Sequence, residues 1–178
     1  TLHTRLGAMM HIAVFDAVSN APRGMSSQAA AVSAAHGVLR ASFPDKAAEL
    51  DAAREKSLAR IPPGPAKREG ISAGEAAATA MLEARSGDGS EAEEFHTPAS
   101  TAPGVWQLTA GCPPAGGVFL HWRKVRPFAL RRADQFRSAP PPALDSNRYS
   151  QAYDEVKENG GRDSTSRPPD RADVARFY

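Results

Sequence analysis

Cys112 is the only cysteine in 178 residues, so no disulfide can form within the chain, and cysteine usage does not fix the compartment. Aromatic residues make up 7% of the sequence, and the 41% that is hydrophobic is rich in alanine, which favours helix but contributes little buried area. A core built from such residues is thin for a chain of one-domain length, so the helices are expected to pack on something further. No stretch approaches the apolar length of a membrane span. A formal net charge of +2 is too small to imply a polyanionic partner by itself.

What is present points to helices. Leu6, Met9, Met10, Ala13, Val14, Ala17 and Val18 recur at the spacing of one helical face, and Ile12 and Phe15 widen it, which predicts a deeply buried helix from Leu2 to Asn20. Ala21-Pro22-Arg23-Gly24 breaks it. A second helix is expected after Ser26 or Ser27 as N-cap, with Val32, Ala35, Val38, Leu39 and Ser42 or Phe43 inward. Pro44 ends it and starts a third, with Ala47, Leu50, Leu58 and Ile61 inward and Asp51 paired outward with Arg54. After Ile61-Pro62-Pro63-Gly64, a fourth helix opens with Pro65 and runs to Arg85, with Ile71, Ala78, Met81 and Leu82 inward. Its ridge of Gly70, Gly74, Ala77 and Ala78 predicts a close helix crossing, because a helical glycine costs about 1 kcal/mol relative to alanine. These four helices form the expected N-terminal bundle, residues 1–86.

Over 87–145 the composition shifts to Pro, Gly, Ser and Thr with scattered aromatics. Long irregular segments are uncommon in compact domains, and Trp106, Phe119, Trp122, Phe128 and Phe136 recur along this one like pegs, so it is expected to wrap on a surface. Pro140 to Pro142 form an extended spacer. Residues 146–178 hold a fifth helix, with Tyr149, Ala152, Tyr153 and Val156, that ends at Gly160-Gly161, and a sixth that begins at Pro168-Pro169 and carries Val174, Phe177 and Tyr178. That last apolar stripe runs to the end of the chain, and the first helix is under way by Leu2 without a cap before it. The chain is therefore expected to be a piece of a longer polypeptide, with any signal peptide lost upstream.

Several residues invite a chemical role. His11 and His36 lie on the first two helices, but a zinc or iron site needs three or four converging ligands, often with a partner at i+3 or i+4, and neither has one. Both are expected to be core or rim histidines bonded to a carbonyl or an aspartate. His96, His121 and Cys112 sit in the irregular segment at unrelated spacings that suggest no metal site. Asp16, a carboxylate on an apolar helix, is costly to bury without hydrogen bonds, and a structural role, as a loop cap or an arginine partner, is expected. Trp122-Arg123-Lys124-Val125-Arg126-Pro127-Phe128-Ala129-Leu130-Arg131-Arg132, extended by Arg137, interleaves basic and aromatic residues as single-strand nucleic-acid platforms do. The expectation is instead a surface segment whose aromatics anchor inward while its arginines reach outward.

One resemblance runs through the chain almost end to end. It is carried by Ala8-Met9-Met10-His11-Ile12-Ala13-Val14-Phe15-Asp16-Ala17-Val18-Ser19-Asn20, by Ala34-Ala35-His36-Gly37-Val38-Leu39 with Phe43-Pro44, and by Ile61-Pro62 with Gly64-Pro65-Ala66. It continues through Asp88-Gly89-Ser90, Pro103-Gly104-Val105-Trp106, Pro127-Phe128-Ala129-Leu130, Asp134-Gln135-Phe136-Arg137, Pro140-Pro141-Pro142-Ala143-Leu144 and Ala175-Arg176-Phe177. In order and spacing these blocks resemble the helical N-terminal region of the vanadium-dependent haloperoxidases and their acid-phosphatase relatives. The resemblance implies an all-α fold and, in the intact protein, either halide oxidation by peroxide with vanadate or phosphate-ester hydrolysis through a histidine.

The same resemblance implies a cage of guanidinium, ammonium and backbone N–H donors around the oxyanion. In the family these come from a Lys ahead of an Arg-Pro pair, a Pro-Ser-Gly-His block, and a Ser-Arg pair followed by another His. Here Lys124 stands too close to Arg126-Pro127, Lys157 is wrongly spaced from Arg167-Pro168, Pro-Ser-Gly-His is absent, and no histidine follows Ser166-Arg167. No catalytic, cofactor-binding or metal residue is therefore assigned, and vanadate is expected only in a missing C-terminal half. The expected partners are that half and further copies of the chain. The rival reading is a non-catalytic helical interaction module that binds an acidic partner through the basic segment 123–137.

Overall fold

A computed structural model describes residues 2–112 and 115–178. Among the described residues the fold is all-α: α1 (Leu2–Ser19), α2 (Ser27–Ser42), α3 (Ala47–Leu58), α4 (Pro65–Arg85), α5 (Asn147–Gly160) and α6 (Pro169–Phe177). Short 3-10 turns occupy Pro44–Lys46 and Leu120–Lys124. Two compact units divide the chain, Thr1–Glu91 and Ala92–Tyr178.

In the first unit α2 packs along α4, α1 lies against both, and α3 rests on α2. The seam is made of small residues. Adding a Cβ at Gly74 would place it 2.8 Å from the Ala34 nitrogen and 2.8 Å from the Ser33 Cβ, while one at Gly37 would meet the Ala78 Cβ at 2.5 Å. The expected crossing at Gly74 is therefore present, and it brings the α4 backbone against α2 with no side chain between. This close approach also corrects the inner face expected for α2. Ala29, Ala30, Ser33, Ala34 and Val38 are buried, while Val32, Ala35 and Leu39 are half-buried and Phe43 is exposed. The helix turns its smallest residues to the glycines because nothing larger fits there.

Met9, Ala13 and Ala17 of α1 complete the core with Ala78 and Met81 of α4. The wide buried face expected of α1 is narrower than that: Phe15 is 66% exposed, Val18 is also exposed, and Ile12 and Val14 are half-buried. A stripe at i, i+4, i+8 suffices for a helix that meets two neighbours on one side. Ends are tied by short polar links. Ser26 caps α2 by accepting from the Ala29 nitrogen at 3.2 Å, worth about 1 kcal/mol, and its own N–H donates to the Ala66 carbonyl at 3.0 Å, joining the starts of α2 and α4. Lys67 donates to the Leu58 carbonyl at 2.7 Å, placing a cation at the C-terminal end of α3.

In the second unit His96 and Gly117 exchange two backbone hydrogen bonds of 2.8 Å across an isolated antiparallel bridge. Trp106 meets the His96 ring edge-on at 5.2 Å, and a Cβ on Gly117 would stand 3.0 Å from the indole. Further along, Ser146 caps α5 by accepting from the Tyr149 nitrogen. The other end of α5 is closed by Arg167, which donates to the carbonyls of Asn159 at 3.0 Å and Gly161 at 3.1 Å. The aromatics expected as inward pegs are not so placed. Trp106, Phe119, Phe128 and Phe136 are all exposed, and Trp122 alone is half-buried. Without a repeating backbone there is no periodic inner face to collect them.

Candidate functional site

Among the described residues, three carboxylates each take two cationic groups. Asp88, with 1% of its side chain exposed, holds Arg5 Nε at 3.0 Å and Arg85 Nη2 at 2.5 Å on the same oxygen. Its other oxygen accepts the Ser90 N–H at 3.0 Å, the turn that Asp88-Gly89-Ser90 favours. Arg5 also donates to the Arg85 carbonyl at 3.2 Å, so one side chain ties the first turns of α1 to the last turn of α4. Burial alone would raise the Asp88 pKa, but the hydrogen bonds from Arg5 and Ser90 and the Arg5 charge outweigh it and hold the carboxyl far below the usual carboxylate range.

Asp51 on α3 lies 2.7 Å from His36 Nε2 and 3.0 Å from Arg40 Nε, both on α2. The His36 hydrogen bond, with help from Arg40, lowers its pKa against the opposing effect of burial. The expected Asp51–Arg54 pair along α3 is thus replaced by contacts across helices: Arg54 turns to Glu75 of α4. Neighbouring helices present partners at hydrogen-bond distance in both cases, and these win over the i,i+3 neighbour. Glu94 holds Lys124 at 2.8 Å and Arg123 at 2.8 Å. Lys124 is the largest influence in lowering the Glu94 pKa, ahead of the opposing burial and of Arg123.

The other residues singled out in the sequence are scattered. His36 is bonded to an aspartate, as a rim histidine was expected to be, whereas His11 is exposed on α1. Asp16 is exposed as well, so the premise of a buried carboxylate on α1 fails: it lies beyond the stripe that α1 turns to its neighbours. His96 and Cys112 are exposed. His121 is buried, with Nδ1 lacking a hydrogen-bond partner, between the rings of Phe119 and Trp122 at 6.3 and 5.9 Å. Phe119 adopts a left-handed backbone, φ 66°, which nothing in the sequence signals. Among the described residues no three His, Cys, Asp or Glu side chains converge as metal ligands would.

A tetrahedral oxyanion such as vanadate needs several cationic donors that face one open space. The cationic pairs described above each converge on a carboxylate, buried at Asp88 and partly exposed at Glu94 and Asp51: Arg5 and Arg85 on Asp88, Arg123 and Lys124 on Glu94, His36 and Arg40 on Asp51. These residues do not fit the group, and no chemical step is assigned through it.

One basic cluster stays open. Arg131, Arg132 and Gln135 line a surface hollow of ≈ 380 Å³. The turn that shapes it is closed by the Arg131 N–H on Gln135 Oε1 at 2.9 Å, the Gln135 N–H on the Arg132 carbonyl at 3.2 Å and the Arg137 N–H on the Asp134 carbonyl at 3.1 Å. The basic segment 123–137 is therefore not one surface, because Glu94 occupies its first two cations. Compared with protein-family models, curated proteins and solved structures, the chain finds no match.

Proposed function

We propose that this chain is the N-terminal helical scaffold portion of a haloperoxidase-like or acid-phosphatase-like enzyme, whose oxyanion cage is supplied by a further segment. One observation carries the reading: large apolar side chains, among them Phe15 in the first unit and Tyr153, Val156, Val174 and Phe177 in the second, are exposed, and such surface calls for a covering partner.

The first four blocks that carry the resemblance also contribute to the interior, whereas the later ones lie at the surface. Met9, Ala13 and Ala17 come from the first, Ala34 and Val38 from the second, Ile61 from the third, and Asp88 from the fourth, and all are buried. The resemblance therefore falls, in part, on interior positions of this chain and on no catalytic ones. The reading frame beyond Tyr178 tests the proposal: Pro-Ser-Gly-His and a Ser-Arg pair followed by His downstream are expected, and a stop codon directly after Tyr178 would overturn it. The purified chain, with vanadate, is expected to show neither halide oxidation nor phosphatase turnover above a buffer blank.

A further inference from the structure

The turn over residues 126–137 contains four arginines and one aspartate. The hollow is walled largely by the aliphatic stems of Arg131, Arg132 and Gln135, and its polar groups are donors. Gln135 Oε1 is spent on the Arg131 N–H, which leaves the Gln135 amide N–H groups and the guanidinium groups of Arg131 and Arg132 as the hydrogen-bonding side-chain groups that line it. Arg132 shares its charge with Asp134 at 3.1 Å, but both are exposed and the contact is screened. The neighbouring ring is unpacked: Phe136, next to Gln135 in the chain, is 76% exposed, and Phe128 and Leu130 are exposed too. Aromatics buried beneath outward arginines would have made this an ordinary surface. Here the rings and the cations face solvent together.

We propose that this turn binds single-stranded nucleic acid, with a backbone phosphate in the Arg131–Arg132–Gln135 hollow and a base stacked on Phe136. An oxyanion matches a hollow whose polar groups are donors, and guanidinium groups suit phosphate oxygens. Base stacking on an exposed ring tolerates any sequence. An acidic peptide fits less well. Arginine clusters do take acidic motifs, but an acidic peptide has no planar base to stack on the exposed ring of Phe136. The proposal does not depend on the scaffold reading, since it concerns a surface turn outside the helical core.

The test is fluorescence anisotropy of a short labelled oligothymidylate titrated with the full chain at low salt, beside a labelled polyglutamate of matched charge. Binding of the oligonucleotide is expected, with log K falling against log salt with a slope of about −1.4 if the hollow takes one phosphate and Arg137 a second. Arg131→Ala with Arg132→Ala should flatten the slope to about −0.7. Phe136→Ala should weaken binding about five- to 150-fold with the slope unchanged. All these residues are exposed, and circular dichroism of the variants reports that the helices persist. No oligonucleotide binding, polyglutamate binding of equal strength, or a Phe136→Ala variant that binds as well as the parent would each overturn the proposal. Equal polyglutamate binding would point to an acidic protein partner instead.

Discussion

Arg5 and Asp88, 83 residues apart in sequence, meet at 3.0 Å where the last turn of α4 passes the first turns of α1. Asp88 holds Arg5 and Arg85 on one oxygen, so its removal takes away the charge that draws the two guanidinium groups together. Asp88→Ala is expected to destabilise the first unit by about 3 to 5 kcal/mol, the usual result of stripping one partner from a buried pair. Chemical denaturation followed by circular dichroism measures it, and a loss under about 1 kcal/mol, the scale of exposed pairs, would show that the clamp is solvated.

The same carboxyl gives a pH dependence. Its folded pKa lies below the ordinary value of 3.8, so the stability it contributes is complete above about that pH and drains away as acid protonates the folded form. Asp51 and Glu94 shift in the same direction. The melting temperature is therefore expected to fall on acidification below pH 3.8, and the fall should be smaller in Asp88→Asn, which has no proton to take up at that site. An identical acid profile for the two proteins would remove Asp88 from the account.

Two glycines in helices should respond in opposite directions. Around Gly7 on α1 nothing stands within 4 Å of an added Cβ, so Gly7→Ala should gain the helix propensity difference of about 0.8 to 1 kcal/mol. At Gly74 the added carbon meets the α2 backbone, and Gly74→Leu should lose about 1 to 3 kcal/mol through overpacking. Thermal melts of the two variants beside the parent decide it. A higher melting temperature for Gly74→Leu would mean that α2 and α4 separate easily.

The uncovered apolar side chains should be detectable in solution. The chain is expected to bind a hydrophobic dye and to self-associate at micromolar concentration, and Phe15→Ser should reduce the dye signal while leaving the unfolding free energy within about 0.5 kcal/mol of the parent, as befits a 66% exposed residue. Sedimentation of a monodisperse monomer with no dye binding would contradict this.

Helix positions were written plainly in the sequence because their signals are local. Ser26 and Ser146 as caps, Pro65 and Pro169 in first turns and Gly74 in the ridge all act within a few residues, and α2, α4, α5 and α6 begin where these place them. Choices made through space were not legible. Asp51 had Arg54 on its own helix, and only the packing of α3 on α2 brings His36 and Arg40 to it. The face of α2 turned inward was set by glycines on another helix. In the irregular segment an aromatic residue carries no sign of which way it faces, so Phe136 read as an anchor and stands in solvent. The hollow at Arg131 was equally hidden, since it depends on a glutamine folding back on a main-chain N–H.

The small-residue seam between α2 and α4 also shapes how the protein responds to temperature. The rise in heat capacity on unfolding comes from apolar surface newly exposed to water. Ala30, Ala34 and Ala78 have little to expose, and Phe15, Tyr153, Val156, Val174 and Phe177 are in water already. Calorimetry should therefore give a heat-capacity increment below the usual ~12 to 15 cal/mol/K per residue. A low increment flattens the stability curve, so this molecule should lose little stability on cooling towards freezing.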